Sequence, residues 1–486
     1  MPSTTTATTA TTTPLRSAQL RRIVVAYTVN RLGTWFGFIA LAVAVFDHTH
    51  SAVAVAVLLL AGQVLPAFLV PALVARVEAS SRRGELSGLY LFEAVATASL
   101  AVLLGHFWLP GVLLLVALDG TAALAASALL RAAAARCARD WAYAHHEQAE
   151  QAGPVTENLP AHTYAGQVGA ALVAGEQSIE GSHPGSRETD AREASATEAE
   201  RRANAAMNIG FAVTFTLGPA LAGLVVPTLG APAALLIDTA SFVICGAMLF
   251  DCKPHVEDGE TSSVRARLQA AWQYINDTTT LRRLLLAQAV ALVFFEFSPP
   301  IEVAYAKVSL HAGDSGYGIL LGVWGLGVAI GSVVFARSIK RSLGVLLSAS
   351  TLAVGLAYLG WAAAPTLGLA CAAGLIGGIG NGVQWAALIS AVQRLTPQNL
   401  QGRMMGAVES LGAICPAIGF MLGSAIAVLS SPRSALLVAG LGATVSTIAF
   451  VRLPLGKLTS ATPPAAVDEE PEWAPERPPS SMASAP

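Results

Sequence analysis

Charge is scarce in this sequence. Asp, Glu, Lys and Arg make up 12% of its 486 residues, about half the share that a wetted globular surface carries, while 54% are hydrophobic and the mean hydropathy is +0.57. An ordinary soluble domain is excluded, and a membrane protein is indicated. Lys plus Arg number 29 against 31 for Asp plus Glu, so a net charge of -2 leaves no cationic surface for nucleic acid. Cysteine is sparse too: Cys137, Cys245, Cys252, Cys371 and Cys415 are scattered, with no C-x-x-C pair and no His at zinc-ligand spacing. They read as small buried hydrophobes, and neither a metal nor a cofactor is expected. A Walker phosphate loop and a usable nucleophile–base pair are also missing, which argues against an enzyme or an ATP-driven pump. The opening Thr/Ala run, Thr4 to Thr13, lacks the apolar core and cleavage site of a secretory signal, so insertion falls to the first spanning helix.

What the chain does have is long apolar runs. A helix needs about 20 apolar residues to cross the hydrocarbon, and twelve such runs can be marked at 23–46, 52–75, 86–105, 108–131, 205–227, 232–251, 283–306, 315–337, 343–363, 366–391, 404–429 and 433–453. Asp47 to Ser51, His106–Phe107, Thr228 to Ala231 and Ala364–Pro365 are too short to join anything but antiparallel neighbours. Basic residues stay in the cytoplasm during insertion. With both termini inside, 26 of the 29 Lys and Arg fall on cytoplasmic segments, Lys307 and Arg433 fall outside, and Arg31 lies within the first span.

The second half of the chain echoes the first. Ala75-Arg76 with Arg82-Arg83 after span 2 matches Ala336-Arg337 with Lys340-Arg341 after span 8, an offset of 261. Leu217-Gly218-Pro219-Ala220 in span 5 matches Ile414-Cys415-Pro416-Ala417 in span 11, an offset of 197. The difference of 64 predicts an insertion between spans 2 and 5, and the polar stretch from Arg139 to Arg202 supplies it. The expected organisation is a disordered tail at 1–22, helices 1–4 at 23–138, a polar cytoplasmic insertion at 139–203, disordered or part-helical, and helices 5–6 at 204–251. A central loop at 252–282, a second bundle at 283–454 and a disordered tail at 455–486 complete it. The four His of the insertion are irregularly spaced and read as solvated, not as metal ligands.

Ions inside the spans are few: Arg31, Glu93, Asp119, Asp238, Glu296, Glu302 and Glu409. Each costs about 3 kcal/mol at mid-bilayer on insertion scales, so such groups face a wet cavity or a partner. Asp119 and Glu296 lie near the middle of their spans, whereas Asp238 reads as structural. Gly218, Pro219 and Gly223 thin and kink span 5, a suitable construction for a gate or for ordinary packing.

Twelve spans in two halves with basic loops after spans 2 and 8 resemble the Major Facilitator Superfamily over about residues 20–455. Pro71 and Ala75 replace the Gly and Asp of its loop signature, Arg76 is kept, and the family's salt-bridge latch lacks its acid. Asn30-Arg31-Leu32-Gly33, Leu236 to Phe242, Gly380-Asn381-Gly382, Gln393 to Pro397 and Gly402-Arg403-Met404 resemble the drug and siderophore exporter branch that includes macrolide-efflux and enterobactin-export proteins. Gly218-Pro219 with Gly223 resembles that group's antiporter motif. The resemblance implies an all-α fold of two six-helix bundles in which spans 1, 4, 7 and 10 line a cavity shared by Asn30, Arg31, Asp119, Glu296, Asn381, Gln384 and Trp385. Arg76, Arg337, Gly218, Pro219, Gly223 and Pro416 would gate it. The expected function is proton-driven export of an amphipathic small molecule, with Glu296 first and Asp119 second as proton carriers. Arg31 would hold an anionic substrate or pair with Asp119. A monomer in the inner (plasma) membrane is expected, with an importer or a scaffold built on loop 139–203 as alternatives.

Overall fold

The computed structural model describes residues 17–66, 84–151, 184–251, 272–338, 340–397, 400–456 and 458–459. Among these the chain is helical throughout its spans, and a single antiparallel bridge joins Ser342 to Thr459. The helices are α1 (Ala18–Thr49), α2 (Ala52–Leu59, continued by a π turn Leu60–Val64), α3 (Glu85–Leu103), α4 (Leu109–Gln151), α5 (Pro184–Leu229) and α6 (Ala231–Met248). They are followed by α7 (Thr279–Phe295), α8 (Pro299–Ala304, continued by a π turn Tyr305–Ser309), α9 (Gly313–Arg337), α10 (Leu343–Ala363), α11 (Leu367–Leu395), α12 (Gln401–Leu429) and α13 (Pro432–Val451).

Among the described residues ten stretches are long and apolar enough to cross a membrane, with α7 and α8 together making one of them, Thr279–Ser309. Two shorter apolar helices, Ala52–Val64 and Ile414–Leu429, fall in expected spans 2 and 11, and residues 67–83 lie outside the described residues. The short connections have the chemistry that stops one helix and starts the next. Ser51, Thr366 and Ser431 accept hydrogen bonds from Ala54, Leu369 and Ser434 N–H groups at the starts of α2, α11 and α13. Gly230, at φ 86, turns α5 into α6, whose first turn carries Pro232.

The chain divides into two compact units, residues 1–44 with 61–259, and residues 45–60 with 260–486. The division differs from the expected bundles in one respect: the last turn of α1 and all of α2 belong to the second unit, where α2 packs on α8 and α12. In the first unit a core of Leu20, Ile23, Tyr27, Tyr90, Leu130 and Phe242 continues along Ala134, Ala138, Ala196 and Ala199. Those last residues belong to the parts of α4 and α5 that run past the apolar spans. The insertion at 139–203 is therefore helical over 139–151 and 184–203, zipped by alanines and by an Arg139–Glu200 ion pair, and residues 152–183 lie outside the described residues. The expected C-terminal tail likewise starts as ordered chain, because Leu455 is fully buried and Leu343 N–H donates to Leu458 O at 2.8 Å.

Two devices in the second unit are specific to hydrocarbon. Along the α9–α11 seam Gly327 and Gly378 lie so close that a Cβ on Gly327 would sit 2.8 Å from Gly378 Cα, and one on Gly382 would sit 3.1 Å from Ser332 N. Without a hydrophobic drive between helices in lipid, such backbone approach supplies the packing. The two cations expected outside the cytoplasm are both satisfied. Lys307 Nζ reaches Asp47 and Asp314, each at 2.5 Å. Arg433 donates to Ala362 O at 2.9 Å and Ser309 O at 3.2 Å, carbonyls at helix ends, with Cζ 5.9 Å from the Tyr305 ring centroid.

Candidate functional site

In the first unit the site begins with two glycines on α1. Gly33 and Gly37 stand one turn apart and face α6, and a Cβ on Gly33 would meet Ser241 Cβ at 2.6 Å and Asp238 Oδ1 at 2.8 Å. The bare backbone admits the Asp238 carboxyl, which is 4% exposed and accepts from Ser241 Oγ at 3.4 Å. Glu93 of α3 is 1% exposed, lies within electrostatic range of Asp119, Asp238 and Arg31, and keeps Oε1 without a hydrogen-bond partner among the described residues. Asp119 of α4, half-buried, accepts from Thr97 Oγ1 at 3.3 Å. Arg31 is half-buried between two rings, its Cζ 5.6 Å from the Tyr27 centroid and 5.8 Å from that of Phe211. No ion pair joins Arg31 to Asp119 among the described residues; the guanidinium rests on aromatic faces instead. Asn30 beside it is half-buried with Nδ2 unpartnered among the described residues, as is the Tyr27 hydroxyl. Three carboxyl groups, one guanidinium and several open hydrogen-bonding atoms thus gather in one unit. Asn30, Arg31 and Asp119 are among the expected residues; Glu93 and Asp238 are not, although an acid on span 6 opposite a G-x-x-x-G on span 1 is a usable signal.

In the second unit span 7 is broken. α7 ends at Phe295, Glu296 caps it at φ -77 and ψ 5, and Pro299-Pro300 start α8. Prolines bring no N–H to a break inside the apolar region, and the freed Phe295 carbonyl accepts from Tyr358 Oη at 3.1 Å. Gly419 and Gly423 of α12 let the broken segment in: Cβ atoms there would meet Glu296 Cβ at 2.6 Å and Phe297 Cα at 2.7 Å. Half-buried Glu296 lies within electrostatic range of Glu302, which is 8% exposed and takes a hydrogen bond from Ser298. Trp324, Tyr358 and Trp361 wall this region with ring centroids 5.5 to 5.7 Å apart, and the buried Tyr317 hydroxyl, near Glu302, has no partner among the described residues.

The other expected residues are spread through their units. On α11 Asn381 is half-buried and Trp385 exposed, whereas Gln384 turns inward and donates to Thr351 Oγ1 at 3.1 Å, a contact that fastens α11 to α10. Gly218 of α5 carries Trp35 of α1, whose Cγ would lie 2.6 Å from an added Cβ, and Pro219 and Gly223 are buried in the same uninterrupted helix. Pro416 is buried within α12, and Arg337 is exposed at the end of α9. Arg76 and the Glu409 side chain lie outside the described residues. Among the described residues no cluster of His, Cys, Asp or Glu could hold a metal.

Comparison with known proteins agrees with this architecture. A family model described as transmembrane secretion effector matches residues 193–476, more than half of the chain. Among solved structures, a point mutant of the nucleoside transporter NupG is similar, with a TM-score of 0.62 at 10% identity over 90% of this chain and 99% of that one. A bacterial homologue of the iron transporter ferroportin in its inward-facing state gives 0.60 at 14% identity over 90% and 98%. A bacterial homologue of the human lysosomal transporter Spinster, inward-facing and unoccupied, gives 0.54 at 13% over 90% and 96%. At such identities the likeness concerns the fold alone. No curated protein matches the chain. The family match and the many-span helical build together make this chain a member of the transmembrane secretion effector family within the Major Facilitator Superfamily, a multi-pass membrane transporter of a small molecule and not an enzyme.

Proposed function

We propose that the protein exports an amphipathic small molecule, such as a drug, siderophore or secondary metabolite, across the inner membrane in exchange for protons. The observation that carries this reading is Glu93, buried within electrostatic range of Asp119, Asp238 and Arg31, with no direct ion pair to Arg31 among the described residues. An ionised carboxylate in a dry site without a paired cation is expensive, and a proton removes the expense. A group in that position loads a proton when poorly hydrated and releases it when water arrives. Arg31, backed by Tyr27 and Phe211, suits an anionic or aromatic part of the cargo. Glu296, at the break in span 7, is the corresponding proton carrier of the second unit, and Asn30, Asn381 and Trp385 supply further cargo contacts. Proton and cargo then act on one equilibrium through their different affinities for two conformations. The description of the family as secretion effectors supports the outward direction.

Everted membrane vesicles test the proposal. Energised vesicles should accumulate cargo, an importer's should not, and collapsing the pH gradient should stop accumulation. Glu296→Gln and Asp119→Asn should each remove the dependence on pH while leaving binding of cargo. Full pH-driven accumulation by both variants would refute the coupling.

A further inference from the structure

We propose that the groove between α7 and α13 is a binding site for a phospholipid with an anionic headgroup, seated in the leaflet that the charge distribution assigns to the cytoplasm. Two recesses of about 440 and 500 Å³ lie along this helix pair and share Val290, Ser446 and Ala449, so they form one trough. Its ends differ in chemistry. One end is lined by Arg283, in the second turn of α7, and by Arg452, just past the end of α13. The other is lined by Phe294, Val438 and Leu441. The helices run antiparallel, which brings both arginines to the same mouth.

Neither guanidinium has an acidic or hydrogen-bonding side-chain partner among the described residues. Adjacent Arg282 is engaged, donating to Asn276 O at 2.9 Å, so Arg283 stands out by comparison. Two guanidiniums with no side-chain partner among the described residues, at the edge of hydrocarbon, match a phosphate, which accepts their planar forks in pairs. Basic pockets between spans on the cytoplasmic side recognise acidic headgroups in the same way.

The rest of the trough suits acyl chain rather than water or a free ion. Val290 is 52% exposed and Leu441 51%, and Ser446, the polar residue on the floor, is internally bonded, donating to Gly442 O at 2.7 Å. Gly442 deepens the trough by leaving room for the Phe294 ring, whose Cγ would lie 2.5 Å from a Cβ there. Along α7 the eleven steps from Arg283 to Phe294 span about 16 Å at about 1.5 Å each. That is about half of a hydrocarbon core roughly 30 Å thick. A headgroup on the arginines therefore has its chain ending near the midplane.

The test is native mass spectrometry of the purified full chain with palmitoyl-oleoyl phosphatidylglycerol, against phosphatidylcholine of the same chains. Phosphatidylglycerol should be retained at least about 10-fold better, and Arg283→Gln with Arg452→Gln should weaken it by about 30-fold, the effect of two surface charges. Ala449→Trp, an exposed position on the trough floor, should weaken both lipids by filling it, and Arg341→Gln, an exposed cation elsewhere, should change neither. Equal retention of the two lipids, or a double variant that binds as the parent does, overturns the proposal. So does displacement by millimolar glycerol phosphate with no effect of Ala449→Trp, which would mark a plain anion site. Dimerisation abolished by Ala449→Trp would also overturn it, because a second copy would then be the occupant.

Discussion

The glycine seam between α9 and α11 makes a quantitative prediction. In Gly327→Ala the new methyl would stand 2.5 Å from Leu375 O, 2.8 Å from Gly378 Cα and 2.9 Å from Ile379 N. Carbon contacts are comfortable at about 3.5 Å or more, so the methyl is about 0.6 to 1 Å too close to three atoms. All three belong to the backbone of α11 and none can rotate away. The helices must part, and overpacking of this kind costs about 1–3 kcal/mol. Gly412→Ala is the matched control. It lies inside α12, nothing comes within 4 Å of its added carbon, and the gain in helix propensity should stabilise the protein by about 0.5–1 kcal/mol. Thermal unfolding in one detergent at one scan rate compares them, because such melts depend on rate. A thiol-reactive dye can follow the melt through Cys137, Cys245 and Cys415, all buried in the folded chain. The midpoint should fall for Gly327→Ala and rise slightly for Gly412→Ala. If Gly327→Ala melts with the parent or above it, the backbones are not in contact and the argument fails.

Asp314→Asn should destabilise more than Asp47→Asn, since both bind Lys307 but the Asp314 side chain is 21% exposed and that of Asp47 45%; the more exposed pair should contribute less than about 1 kcal/mol, and equal losses in chemical denaturation would contradict this. Gly33→Ala should cost about 1–3 kcal/mol by driving a methyl into Ser241, and Ser241→Gly should rescue it in a double-mutant cycle; additive losses would mean that α1 and α6 are not in contact there.

The spans can be read because hydrocarbon imposes a length and forbids most polar residues, so each run from residue 23 to 453 announces itself. The positions of Lys307 and Arg433 are equally visible, but their partners are not: Asp47 lies 260 residues from Lys307, and Arg433 uses carbonyls, which sequence does not display. The break at Glu296 is written as Ser298-Pro299-Pro300, yet hydropathy averages across it. Glu93 and Asp238 read apart from Asp119 because depth along a span says nothing of facing; Gly33 and Gly37 on α1 supply the missing direction. The polar residues of 139–203 suggest disordered or part-helical chain, and alanines at helical spacing, Ala196, Ala199 and Ala203, pack its described end on α4.

The interrupted helix at Phe295–Pro299 has a genetic consequence. Proline and alanine codons differ by a single base, so replacing Pro299 and Pro300 by alanine takes two point mutations and restores the amide hydrogens that an unbroken rod would need. A relative that had drifted across that boundary would lose the elbow, and with it the fit of Glu296 and Phe297 against Gly419 and Gly423, so that the bend could be compared with the cargo carried.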